Sequence, residues 1–289
     1  MRKRLILISL LMAGGLWNLA QPAHPQALVP HVLQLDGNQL EEQGLRLAQE
    51  AAQLAQFQQF QLALPRAELA TQLAPDNADI WTLLGSLYLQ TENVDEGIRA
   101  LEQAKTLDQE NPAILFAIGS AYFRKQDYNR SIEYLQAGLR LQADVPGALF
   151  DLGNAYYMLR QYDQAIAQYQ KAVDLDEEFW PAVNNIGLAL YEKGDIEGAL
   201  QQWRSAIEID GSQAEPQLAL AVVLYSQGDR EQALLLGETA IRLDERYGSP
   251  DFLRENLWGD RLMEQAQAFL QLPRIKETIA QSSQTSPSE

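Results

Sequence analysis

The chain has 289 residues, room for one large domain or two small ones, and carries 39 acidic against 22 basic side chains, a formal charge of -17. So acidic a chain repels phosphate backbones, which removes nucleic acid from the expected partners. Cysteine is absent and the two histidines, His24 and His31, both lie near the N-terminus; disulfides, cysteine nucleophiles, most zinc sites and most hydrolase triads are thereby excluded.

At the N-terminus, Arg2, Lys3 and Arg4 precede an uncharged apolar run from Leu5 to Trp17, the pattern of an export signal. Positive charge on that side alone predicts a cytoplasmic N-terminus and a body that crosses the membrane, into a periplasm or lumen. Ala20, Ala23 and Ala27 are small, but none has a small residue two places before it, so cleavage is not specified. An uncleaved anchor is the alternative, although Leu5 to Ala20 is 16 residues, short of the ~20 that a span needs. Residues 1–27 therefore read as signal peptide or anchor, the only expected membrane contact, and 28–43 as a linker with the start of the first helix.

From residue 44 the chain repeats with a period of 34. Ala51, Gly85, Gly119, Gly153, Gly187 and Ala221 form one series. Ala63, Gly97, Ser131, Ala165, Ala199 and Ala233 form a second, and Ala70, Ala104, Gly138, Ala172, Ala206 and Ala240 a third. Large residues keep the same step: Leu84, Ile118, Leu152, Ile186 and Leu220 precede the first series, and Leu101, Leu135, Tyr169 and Trp203 precede the third by three. Apolar residues fall at i, i+3, i+4 and i+7 inside each repeat, which predicts two amphipathic helices per copy with the small residues where they approach. Gly153 and Ala165 are expected to touch across one such hairpin. Gly194-Asp195 and Gly228-Asp229 mark the turn between the two helices, glycine ending the first and aspartate capping the second; Asp95, Asp127 and Asp163 hold similar places. Pro112, Pro146, Pro181 and Pro216 fall at the following helix start. Pro65, in the least regular first copy, is tolerable only near the start of its helix.

Trp81, Leu84, Gly85 and Tyr88, continued in another copy by Ala165, Tyr169 and Ala172, make the pattern resemble the tetratricopeptide repeat (TPR) family, although the family's terminal proline is kept only as Pro75. The resemblance implies an all-α fold: a right-handed α-solenoid of about six helix-turn-helix repeats over 44–247. Residues 248–272 leave the pattern but keep an apolar helical face and read as a capping segment, and 273–289 as a polar, partly disordered tail.

A second stripe lies about 100° round each first helix, and in the family's superhelix it lines a concave groove. Here it holds Phe116, Ser120 and Phe123, then Phe150, Asn154 and Tyr157, then Asn184, Leu188 and Tyr191, then Leu218, Val222 and Tyr225. A solvated face would be charged, and an apolar row marks a binding surface. The candidate partner-binding residues are therefore Phe116, Phe123, Phe150, Asn154, Tyr157, Asn184, Leu188, Tyr191, Val222 and Tyr225, with Asn154 and Asn184 suited to a peptide backbone. Some family members grip C-terminal carboxylates with lysines in this stripe; none occupies the matching positions, which argues against an acidic C-terminal ligand. The acidic run Asp174, Asp176, Glu177 and Glu178 lacks the glycine-centred loop of a calcium site and reads as a solvated turn.

The expected function is a non-catalytic scaffold that holds a protein or peptide segment, without cofactor or metal. The layout of basic apolar leader, repeats and the tail Leu253-Arg254-Glu255-Asn256-Leu257-Trp258-Gly259 is similar to cyanobacterial and plastid TPR proteins, which implies an assembly or stability factor for a membrane, photosynthetic complex. A self-assembling structural solenoid is the alternative. A hydrolase built on two carboxylates would need facing acids, which repeats with acids mainly at turns do not supply.

Overall fold

The computed structural model describes residues 36–285, in which all regular structure is helical. Six antiparallel pairs follow one another: α1 (Gly37–Gln56) with α2 (Phe60–Leu73), α3 (Ala78–Gln90) with α4 (Val94–Leu107), α5 (Pro112–Arg124) with α6 (Tyr128–Leu141), α7 (Pro146–Met158) with α8 (Tyr162–Leu175), α9 (Trp180–Lys193) with α10 (Ile196–Ile209), and α11 (Ala214–Gln227) with α12 (Arg230–Leu243). A 3-10 turn (Glu245–Gly248) leads to α13 (Pro250–Glu255), α14 (Asp260–Leu270) and α15 (Pro273–Thr285). The leader read from residues 1–27 lies outside the described residues. Among those described, no helix is long and apolar enough to cross a membrane.

All eighteen positions of the three small-residue series are buried. The large residues that precede the third series, Leu101, Leu135, Tyr169 and Trp203, are fully buried and explain why the first series must be small. A Cβ on Gly85 would lie 2.6 Å from Leu101 Cγ, one on Gly119 2.6 Å from Leu135 Cγ, and one on Gly187 2.6 Å from Trp203 Nε1. Gly153 meets the ring of Tyr169 even more closely. The Tyr169 ring is therefore a further reason, beside the approach to Ala165 that the spacing predicts, for residue 153 to be small. In these four hairpins a knob of growing size, Leu to Tyr to Trp, lies over a bare backbone without changing the period.

The turns between paired helices share one conformation that the sequence only half shows. Gln58, Glu92, Gln126, Arg160, Gly194 and Gly228, again 34 apart, all have positive φ, from 57° to 103°. In each turn the following N–H reaches back to the carbonyl five residues earlier, as in Asp127 N to Tyr122 O (2.9 Å) and Asp195 N to Leu190 O (2.9 Å), the longer bond of a Schellman motif. Glycine serves the left-handed position in the last two copies alone. Asp127 and Asp195 then cap α6 and α10 with their side chains. Asp229 is the N-cap residue of α12, but its side chain makes no cap bond. Asp95 and Asp163 sit one step inside their helices and pair instead with Lys125 and Lys193 of the next copy. Pro65 lies at the sixth residue of α2, deeper than the sequence reading allows; the carbonyl it strands belongs to exposed Gln61, which water can reach.

The last copy breaks the series of knobs with Gly237, and residues from beyond the repeats close over it. A Cβ there would lie 2.6 Å from Phe269 Cε1 and 3.2 Å from Ile275 Cδ1. The expected polar tail is accordingly a helix as far as Thr285: α15 packs on α12 and buries Ile275 and Thr278, because the end of the solenoid leaves an apolar face to cover.

Candidate functional site

The candidate groove residues fall on α5, α7, α9 and α11, and the structure separates them into three groups. Phe116 turns to the hairpin, half-buried against Gly138 of α6. Asn154, Tyr157, Asn184, Leu188, Tyr191 and Val222 are buried, while Tyr225 is half-buried. Phe123 and Phe150 are half-buried like Phe116 and Tyr225, but line an open cavity. The two asparagines serve the protein itself. Asn154 Oδ1 accepts from Tyr169 Oη (2.7 Å) and from Asn185 Nδ2 (2.9 Å), and Asn184 Nδ2 donates to Asn185 Oδ1 (3.1 Å). Asn184 has no exposed surface, so it does not meet a partner's backbone in this structure.

The burial on α9 and α11 comes from the chain's own C-terminal segment, which folds back over them. The chain turns at Leu257, a non-glycine residue with φ 64°, and then inserts Trp258. The Trp258 indole N–H donates to Glu215 Oε1 at 3.0 Å and Tyr247 Oη donates to Glu215 Oε2 at 3.5 Å. Burial pushes the Glu215 carboxyl up to about 7, against the pull of its Trp258, Asn184 and Tyr247 partners. At the end of α9, Glu192 presents its carboxylate to the start of α14. It accepts from Leu262 N (3.1 Å) and Arg261 N (3.4 Å), which satisfies free N–H groups at the positive end of the helix. A side chain at residue 259 would collide with that carboxylate, so Gly259 is what lets α14 begin there. Arg261 lies over the Tyr191 ring at 5.4 Å and donates to Tyr191 O at 2.9 Å, and Phe269 meets Tyr225 edge-on at 5.6 Å. Asp260 and Arg160 close the border with α7 at 2.6 Å, both well exposed and so worth little.

Sequence reasoning missed Glu192 and Glu215 because neither recurs. The residues at the place of Glu215 in the preceding copies are Asp79, Ala113, Gly147 and Pro181; at the place of Glu192 in the other copies stand Gln90, Arg124, Met158 and Ser226.

Where the C-terminal segment stops, a cavity of about 340 Å³ opens. Its walls are Phe123, Phe150, Trp180, Pro181, Tyr247 and Leu257, and Asn154, Asn185, Glu215, Glu255 and Asn256 add polar atoms. Phe150 is fixed between Tyr169 (5.7 Å) and Phe179 (5.5 Å), and Phe123 stands edge-on to Tyr128 (5.3 Å). A second cavity, about 650 Å³, lies between α6 and α8, with leucines 139, 149, 152 and 175 beneath a rim of mixed charge. Asp174, Asp176, Glu177 and Glu178 are exposed, and among the described residues no group of His, Cys, Asp or Glu is placed to hold a metal ion.

Stacked helical hairpins define a repeat scaffold for protein interaction, a class that is in general non-catalytic. The chain belongs to the tetratricopeptide repeat family: residues 33–178, just over half of it, match the cytochrome c-type biogenesis protein H TPR domain, and residues 187–228 match a second TPR repeat model. No curated protein matches the chain. Among solved structures it is similar to PilF of Pseudomonas aeruginosa, at 18% identity over 76% of this chain and 99% of that one with a TM-score of 0.62. It is similar to MamA from Desulfovibrio magneticus RS-1, at 18% identity over 59% and 97% with a TM-score of 0.55. It is also similar to YrrB, described as a TPR protein with an unusual peptide-binding site, at 20% identity over 70% and 97% with a TM-score of 0.50. At these identities the likeness is one of fold.

Proposed function

We propose that the chain is a non-catalytic scaffold that holds a segment of a partner protein in the open part of its concave groove. The observation that carries this reading is that the groove already holds polypeptide: its second half binds the chain's own residues 258–270 through ring contacts, an indole donor and a capped helix end. The same kind of surface continues past that segment as Phe123, Phe150 and Trp180, which with Tyr247 and residues 255–257 wall a cavity of about 340 Å³. YrrB, of the same fold, supports a peptide-binding role for such a surface. Arg2, Lys3, Arg4 and the apolar run behind them support a repeat body outside the cytoplasm, exported or anchored, where it would serve assembly or stability of a membrane complex. The similarity in layout to cyanobacterial and plastid TPR proteins favours a photosynthetic one.

A photo-crosslinking residue placed at Trp180 tests the groove, with the same residue at Gln168, beside the second cavity, as control. Partner adducts are expected from position 180. Adducts from position 168 alone would move the partner out of the groove. A phosphatase fused after Glu289, of the type active only when exported, is expected to be active; an inactive, well-expressed fusion would refute the location.

A further inference from the structure

The reading of the groove as a peptide site leaves open what kind of side chain it takes, and the inference drawn here rests on that reading. The chain's own arginines show what its groove aromatics accept. Arg261 lies over Tyr191 at 5.4 Å and Arg230 over Tyr225 at 5.7 Å. Tyr191 and Tyr225 stand one period apart at the same place of their first helices, and Phe123 holds that place two copies before Tyr191. Among the described residues no cation lies over Phe123, Phe150 or Trp180. These three rings wall the cavity of about 340 Å³, whose lining includes the carboxylates of Glu215 and Glu255 and no basic side chain.

We propose that this cavity seats an arginine or lysine side chain of an extended partner segment, the cationic head against Phe123, Phe150 and Trp180 and its charge answered by Glu215 and Glu255. Ring faces attract cations, and the attraction grows as water is excluded. Arginine fits best, being planar and weakly hydrated. Glu215 is 8% exposed, so the field of its ionised form is poorly screened and a cation brought beside it gains more than at a surface pair. The net charge of -17 steers basic segments towards the protein and acidic ones away. An acidic ligand would instead meet two carboxylates and no counter-charge.

The test is to pan a random-peptide phage library over the full chain, synthesise a selected peptide, and measure its binding at low and high salt. Selected peptides are expected to be enriched in Arg or Lys. Changing that residue to Gln in the peptide, or Trp180→Ala in the protein, should weaken binding about tenfold, in line with a desolvated cation–π contact. High salt should weaken it severalfold. Glu255→Gln, an exposed change that spares the fold, should weaken the Arg peptide and leave its Gln counterpart unaffected. Peptides that bind in a Trp180-dependent way without basic enrichment would overturn the cationic pocket and leave the groove reading standing. Failure to select any peptide sensitive to Trp180→Ala or Phe123→Ala would defeat both.

Discussion

Glu215→Gln isolates the cost of placing a carboxylate at the junction of the groove and the C-terminal segment. Burial raises the Glu215 carboxyl from an ordinary 4.5 to about 7, because the folded protein prefers its neutral form. The sign follows from which form the fold favours. Below pH 4.5 the group is protonated in folded and unfolded chains alike and the folded state loses nothing. As pH rises through 4.5 the unfolded chain ionises while the folded one resists, and stability falls until pH passes about 7. A shift of that size corresponds to roughly 3 kcal/mol, at about 1.4 kcal/mol per pH unit. Glutamine keeps an acceptor for the Trp258 indole at nearly the same place and has no charge to desolvate. Urea unfolding followed by helical signal is expected to show the variant about equal to the parent near pH 4 and more stable by roughly 2–3 kcal/mol at pH 8. Hydrogen exchange in α14 should be the local readout, fast in the parent at pH 8 and slow in the variant. Parallel pH curves for the two proteins would show that Glu215 is not the group that titrates.

Three further outcomes follow from the packing. Gly259→Ala should push Glu192 off the start of α14, cost about 1 kcal/mol and speed exchange in α14 while the repeats keep their protection; unchanged exchange would contradict the capping role. Gly153→Leu should drive a side chain into the Tyr169 ring and destabilise by ~1–3 kcal/mol or more in denaturant melts. Gln126→Gly, at φ 63°, should stabilise by up to about 1 kcal/mol, since the left-handed strain relieved is ~1–2 kcal/mol and glycine gives part of it back in the unfolded chain; a loss of stability there would overturn the account of the turns.

The scaffold was legible because its constraints recur. Small residues are needed wherever paired helices approach, so eighteen of them repeat at one period, and all are buried. The turns were harder to read: the left-handed residue is Gln, Glu or Arg in four copies, because the strain of a single residue is small beside the hairpin it closes. The groove stripe was legible as apolar, but apolar spacing cannot say what covers a face. What covers half of it here is a segment without repeat spacing, held by Glu192 and Glu215, each of which appears once, and admitted by Gly237, which reads as one more small residue unless Phe269 is seen above it. Asn154 and Asn184 have amides suited to a peptide backbone, and that chemistry is used inside the protein, since buried amides bond to neighbouring side chains.

Because α14 lies over α9 and α11, the groove left for another molecule runs along the first helices of the earlier copies, from α1 to α7, and ends in the cavity that Trp180 walls at the start of α9. Packed helices are spaced about 8–10 Å, so these four rows span roughly 30 Å. An extended chain advances about 3.3–3.6 Å per residue, which limits a partner lying along them to about nine residues. So short a stretch, ordered only on binding, releases quickly. A lasting assembly on this protein would then depend on a second attachment, such as a common membrane, which raises the effective concentration of the first.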